Sequence, residues 1–196
     1  MSRTRVVDGY DLVILDLDGV VYLIDHPIPG AVSAINQLHD EGVPLAYATN
    51  NASRRSSEVA QLLNAIGVPA GPEEVLTSAA AAAALLAERL SPGAPVLVVG
   101  APALRDEIRA AGLRPVDRAD EGPAAVVQGY GPKVGWSDLA EACIAVRAGA
   151  LWVATNGDRT LPSPRGPLPG NGALVAAVSA ALGRDPDLVV GKPEPA

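Results

Sequence analysis

The sequence predicts an α/β protein built on parallel sheets and divided into two blocks. Apolar runs of strand length alternate with segments of helical period along the whole chain, the pattern of βαβ architecture. Helical segments between successive strands demand crossovers, and right-handed crossovers make those strands parallel. Several of the apolar runs end in polar residues, and open α/β sheets bind their ligands at the carboxyl ends of strands.

The first strand is expected over residues 12–17. Pro29-Gly30 opens a helix that places Val32, Ile35 and Leu38 on one face and ends near Gly42. A second strand over 45–49 runs into Asn50-Asn51, and a helix follows with Val59, Leu62, Leu63 and Ile66 at i, i+3, i+4, i+7, stopped by Gly67. A second block starts near Thr77. It reads as helix 78–90, strand 96–99, helix 103–111, strand 124–128, a helix capped by Ser137 that reaches 148, and strand 151–155. A loop rich in Pro and Gly over 161–172 precedes a helix at 173–182, and a short strand at 188–190 leads to Gly191-Lys192-Pro193. The domain expectation is residues 1–77, an inserted domain over 78–184, and a return to the first domain over 185–196.

Composition limits what such a chain does. With 196 residues, 48% of them hydrophobic and 19% charged, it has ordinary globular proportions. Phe is absent, so the core must be built from Leu, Val, Ile and Ala. A net charge of −7 argues against nucleic acid or an anionic membrane as partner, since both select clustered Lys and Arg. Cys143 is the single cysteine, which excludes an internal disulfide, and its Ala-rich setting reads as a packed thiol. Met1 to Asp11 lacks the apolar stretch of a signal peptide, and the alanine run over 79–87 is too short to span a bilayer. The expectation is a cytoplasmic protein.

The chemistry concentrates at three strand ends. Asp16-Leu17-Asp18-Gly19 closes the first strand with two carboxylates, and a turn at Gly19 is expected to bring both into one site. A surface D-x-D-G turn or calcium-type loop is the alternative for this motif alone. Thr49-Asn50-Asn51 ends the second strand, where a helix cap or Asx turn is the alternative, and Lys192 follows the last, where the alternative is a surface lysine in a turn. Together they suit phosphate handling. Asp16 is the candidate nucleophile, attacking phosphorus in line to give an aspartyl phosphate. Asp18 is the candidate acid and base. Backbone amides over 17–19 would face the equatorial phosphoryl oxygens, and Thr49, Asn50 and Lys192 would bind the same group. A carboxylate attacking a dianion needs charge screening, so Mg²⁺ held by Asp16 and Asp18 is expected.

These motifs, in this order, resemble the haloacid dehalogenase-like superfamily of phosphohydrolases, and the resemblance spans essentially the whole chain. The insert between Thr49-Asn50-Asn51 and Gly191-Lys192-Pro193 is similar to the α/β cap of the NagD-like, p-nitrophenyl phosphatase branch (class IIA). Ala154-Thr155-Asn156-Gly157-Asp158 and Leu168-Pro169-Gly170-Asn171-Gly172 carry that likeness. Gly149-Ala150-Leu151-Trp152-Val153-Ala154, with Leu161-Pro162, looks most like actinobacterial members that hydrolyse glycerol 3-phosphate. The resemblance implies a Rossmann-like core, incomplete at its C-terminus, plus an inserted cap, and a Mg²⁺-dependent phosphatase acting on small phosphorylated metabolites. Two departures stand out. The chain reads Gln128-Gly129-Tyr130-Gly131 where members often carry an Asp. The family's fourth, acidic motif is absent, so a truncated form with little or no activity of its own is expected.

In the cap, Asn156, Asp158 and Asn171, with Lys133 and Trp136, are substrate candidates; loop capping, turn geometry or a cap–cap dimer contact are the alternatives. Asn51, Arg54 and Arg55 could reach a substrate anion, or the arginines could be solvated at a helix start. His26 and His39 show no metal or triad pattern. A homodimer through the cap is a possible assembly. Rival readings are an inactive fragment serving as a cap-mediated interaction module, a dehalogenase, which has no use for Asp18, and a mutase, which usually has a helical cap inserted soon after the first motif. A dinucleotide-binding oxidoreductase lacks its G-x-G-x-x-G.

Overall fold

The computed structural model describes residues 6–24 and 26–194. Residues 1–5, on which the signal-peptide reading partly rests, lie outside the described residues, as do 195 and 196. The elements in chain order are β1 (Val13–Asp16), β2 (Tyr22–Leu23), β3 (His26–Pro27), α1 (Ala31–Asp40), β4 (Leu45–Thr49), α2 (Ser56–Ala65) and β5 (Val75–Thr77). Then come α3 (Ser78–Arg89), β6 (Pro95–Val99), α4 (Pro102–Ala110), β7 (Arg114–Val116), β8 (Ala125–Gln128), α5 (Trp136–Arg147) and β9 (Leu151–Ala154). The last are β10 (Thr160–Leu161), β11 (Leu168–Pro169), α6 (Asn171–Leu182) and β12 (Leu188–Val189). Among the described residues, no helix is long and apolar enough to cross a membrane.

The chain divides into two compact units. The smaller takes residues up to Thr49 and Ser56–Leu76. Its sheet has the order β1-β4-β5, with β1 parallel to β4 from Val13↔Leu45 to Asp16↔Ala48. Leu17, Val21, Ile35, Leu45, Tyr47, Val59, Leu63 and Val68 form its core, each apolar side chain contributing about 1.5–3 kcal/mol by leaving water. Asn36 on α1 donates to the Gly67 carbonyl at 3.0 Å, tying that helix to the turn after α2. The buried Tyr47 hydroxyl has no partner among the described residues; burial, and secondarily the charge of Glu74, push its pKa up.

The larger unit takes Asn50–Arg55 and the residues from Thr77 onward. Five strands, all parallel, lie in the order β12-β9-β8-β6-β7. Numbered by sequence this is the doubly wound order 2-1-3-4-5. Strand side chains alternate between two cores. Val96, Val127 and Val153 join α3 and α4 on one face, whereas Leu97, Val99, Val126 and Trp152 join α5 and α6 on the other. Cys143 is buried in the second of these cores, a packed thiol.

Several local expectations change. Leu188–Val189, in the segment expected to return to the first domain, pairs with Val153 and Ala154 and forms an edge of the larger sheet. Asp187, just before it, accepts from the Trp152 amide at 2.8 Å and pairs with Arg184 at 2.7 Å. The Arg184 hydrogen bond, the largest cause, holds the Asp187 carboxyl below its ordinary value, so its stabilising contribution is present above that value and fades as pH falls. Ser137 does not cap α5. Gly135 does, its amide donating to Asp138 at 2.8 Å while Ser137 sits inside the first turn. The loop over 161–172 contains the paired strands β10 and β11, and α6 starts at Asn171 rather than 173.

Candidate active site

In the smaller unit, Asp16 and Asp18 flank the end of β1. Ile14, Asp16 and Asp18 are exposed, while Leu17 between the acids is fully buried. Spacing of two along an extended chain already puts both carboxylates on one side, so the turn at Gly19 is not what unites them. That turn instead closes a tight loop. The Leu17 carbonyl accepts from the amides of Val20, Val21 and Tyr22 at 3.2, 2.9 and 3.2 Å, and Gly19, at φ 82°, donates to the Tyr22 carbonyl at 2.7 Å. A positive φ of this kind is free of strain only for glycine. Two amides expected to face a phosphoryl group are engaged locally: Gly19 as just described, and Leu17 on the Asp16 carboxylate at 2.7 Å. Thr49, 5% exposed, ends β4; because Asp16 is in register with Ala48, it lies one residue beyond Asp16 on the adjacent parallel strand.

In the larger unit, Asn50 is the hub. Its Nδ2 donates to the Lys192 carbonyl at 2.9 Å and to Asp158 Oδ2 at 3.0 Å, and its Oδ1 accepts from the Lys192 amide at 2.8 Å. A carboxylate only accepts and an amide N–H only donates, which fixes the orientation of the Asn50 side chain. Within the protein, both side-chain amide hydrogens are therefore used at Asn50. Its carbonyl accepts from Ser78 Oγ and from Asn156 Nδ2, each at 2.7 Å. Asn51 forms the Asx turn weighed as the alternative, accepting from the Ser53 amide and hydroxyl at 2.7 and 2.8 Å.

The substrate candidates of this unit divide. Asn156 and Asn171 are buried at 4% and 2% exposure. Asn171 Nδ2 donates to the carbonyls of Gln128 and Asn156 at 3.2 and 2.8 Å, so both amides brace backbone rather than face solvent. Asp158 is exposed, with its amide on Asn156 Oδ1 at 3.2 Å. Arg54 is half-buried; Arg55, its side chain partly exposed, pairs through Nε with Glu107 at 2.9 Å. Lys133 and Trp136 are exposed. His26 pairs backbone to backbone in the β2–β3 hairpin, and among the described residues no three His, Cys, Asp or Glu side chains cluster for a metal.

What sequence reasoning did not read is the bracing of the loops. Gln128 is fully buried, and its Oε1 accepts from Trp152 Nε1 at 3.1 Å. The available signal was an amide closing the otherwise apolar run Ala125-Val126-Val127. Gly170 and Gly172 let the start of α6 press on the segment 157–160. A Cβ on Gly172 would lie 2.2 Å from the Gly157 carbonyl oxygen and 2.7 Å from its carbon, backbone atoms that cannot swing aside. Gly172→Ala is accordingly expected to destabilise the protein by about 3 kcal/mol or more, the upper end of overpacking costs. A urea titration followed by circular dichroism checks it; an unchanged midpoint would refute the close approach.

The sequence pattern of the family described as haloacid dehalogenase-like hydrolase matches residues 13–114. The chain is 52% identical over 191 residues to the D-glycerol 3-phosphate phosphatase of Mycobacterium tuberculosis, covering 97% of this chain and 53% of that protein. It spans about half the length of that curated relative. A crystal structure of the glycerol phosphate phosphatase of the same organism, in complex with magnesium, superposes with a TM-score of 0.90 at 53% identity, over 96% of this chain and 57% of that one. The 4-nitrophenylphosphatase of Thermotoga maritima gives a TM-score of 0.88 at 33% identity, over 98% of this chain and 72% of that one. With its motifs at the ends of β1 and β4 and after β12, the chain belongs to the haloacid dehalogenase-like hydrolases, in their NagD-like, p-nitrophenyl phosphatase branch.

Proposed function

We propose that this chain carries the catalytic motifs of a Mg²⁺-dependent phosphatase acting on small phosphate monoesters, with glycerol 3-phosphate as the first substrate to test. The observation that supports it most is the placement of Asp16 and Thr49 at adjacent strand ends, with Asp18 two residues on and likewise exposed. An Asp16 carboxylate oxygen attacks phosphorus as the ester P–O bond breaks, and Asp18 gives its proton to the departing alkoxide. Water then attacks the aspartyl phosphate, losing its proton to Asp18, and releases inorganic phosphate with the Asp16 carboxylate restored. Thr49 and the Lys192 ammonium offset the charge that develops on the phosphoryl oxygens, each well-placed group contributing about 3–4 kcal/mol to lowering the barrier.

The Asp16 carboxylate and the Asp18 backbone carbonyl offer hard oxygen donors, the type Mg²⁺ takes, with water and phosphate completing its shell. They fit it and would hold it, and when bound it screens carboxylate from dianion. The larger unit is proposed as the cap that selects the leaving group. The test is phosphate release from glycerol 3-phosphate, with p-nitrophenyl phosphate alongside. Weak release that stops when Mg²⁺ is chelated and returns on its addition is the expected result; release indifferent to chelation, or no binding of either ester in the presence of Mg²⁺, would overturn the reading.

A further inference from the structure

Doubly wound sheets take their ligands where neighbouring strands send their connections to opposite faces. In the larger unit that point lies between β6 and β8, at their carboxyl ends. Here it is filled by protein. A Cβ on Gly131 would stand 2.7 Å from the Gly100 carbonyl carbon and 2.8 Å from the Ala101 nitrogen, so the loops after β6 and β8 meet backbone to backbone. Ala52, 2% exposed, lies beside Gly129, where an added Cβ would come within 3.2 Å of its own. The chain's own segment Asn50–Arg55 thus sits at the end of the sheet where such folds bind ligands. It is anchored by Ser78 and Asn156 on the Asn50 carbonyl, by Ala52, and by the Arg55–Glu107 pair.

We propose that this seating makes Asn50 a positioning residue for Lys192, with Asp158 as its support. A side-chain amide that accepts from and donates to the same peptide unit fixes that unit in place and orientation, here the backbone from which the Lys192 side chain departs. The second Nδ2 hydrogen, held by Asp158 Oδ2, keeps the amide from turning over. Asp158 acts through Asn50 and not by touching substrate. The inference rests on the phosphatase reading for the purpose of Lys192, and on the larger unit's geometry for the clamp itself.

Two measurements on the full chain separate these supports: hydrogen exchange at the Lys192 amide, and calorimetric binding of inorganic phosphate in the presence of Mg²⁺. N50A is expected to speed Lys192 exchange and to weaken phosphate binding, each by about tenfold, the scale of losing well-made hydrogen bonds. N50D keeps the acceptor for the Lys192 amide but loses both donors and sets one carboxylate against another, so its loss is expected to be larger. N50D/D158N restores a donor facing the new carboxylate and is expected to recover most of the phosphate affinity lost in N50D. A generic packing defect has no reason to be rescued by that second change. Should N50A not fold, the comparison of N50D with N50D/D158N decides alone. Wild-type phosphate binding that N50A leaves intact, or a double variant no better than N50D, overturns the positioning role and spares the phosphatase reading. Faster Lys192 exchange in N50A with no phosphate bound by any protein, wild type included, overturns both.

Discussion

Asp16→Asn abolishes phosphoryl transfer while leaving the fold intact. An amide oxygen is too poor a nucleophile to form the acyl phosphate, so turnover is expected to fall on the order of 10⁴-fold or more, the scale seen when a covalent nucleophile is removed. Stability should hardly move. The Asp16 side chain is exposed, and the bond it accepts from the Leu17 amide at 2.7 Å is one an asparagine oxygen also accepts. Phosphate release and a thermal melt on the same preparation check both halves. Residual turnover within tenfold of the parent would place the nucleophile elsewhere.

Trp152→Ala works in the opposite sense, on stability. Trp152 heads the fully buried side chains by volume and packs in the core between the larger sheet and the pair α5 and α6. Truncation removes the transfer free energy of the indole and leaves a cavity, about 3–5 kcal/mol together. It also deprives Gln128 Oε1 of its donor, and Gln128 Nε2 is already a buried atom without a partner, which adds about 1–3 kcal/mol. Such a loss is comparable to the whole stability of many domains. Chemical denaturation followed by far-ultraviolet circular dichroism, with Trp152→Phe as the milder control, reads the difference. A midpoint for Trp152→Ala no lower than that for Trp152→Phe would contradict the packing described here.

Periodicity exposed the long elements because each buries a single face. Leu45–Thr49 is read to the residue from the sequence, and α1, α3, α4 and the end of α2 to within a residue or two. The strands that escaped notice are short ones. Val75–Thr77 has three residues, too few for alternation to register. Arg114–Val116 contains Pro115, which speaks against a strand; it is tolerated because β7 forms an edge of its sheet. Gly170 and Gly172 read as loop punctuation, yet α6 begins between them, since they provide room for backbone contact rather than a break.

For the candidate site, the sequence by itself determined the residue types on which the proposed chemistry rests. A pair of acids after an apolar strand, a Thr-Asn-Asn at the next strand end and a distant Gly-Lys-Pro are local patterns, and local patterns carry residue type and spacing. What each polar side chain holds was decided by the tertiary structure. Asn50 was a phosphate candidate and its side chain holds the Lys192 backbone; Asn156 and Asn171 were substrate candidates with loop capping as the alternative, and their amides hold carbonyls. Lys192 and Asp158 reach Asn50 across 142 and 108 residues of chain. An amide writes the same letter in a sequence whether it meets a ligand or a carbonyl, and only the packing that brings such distant segments within 3 Å distinguishes the two.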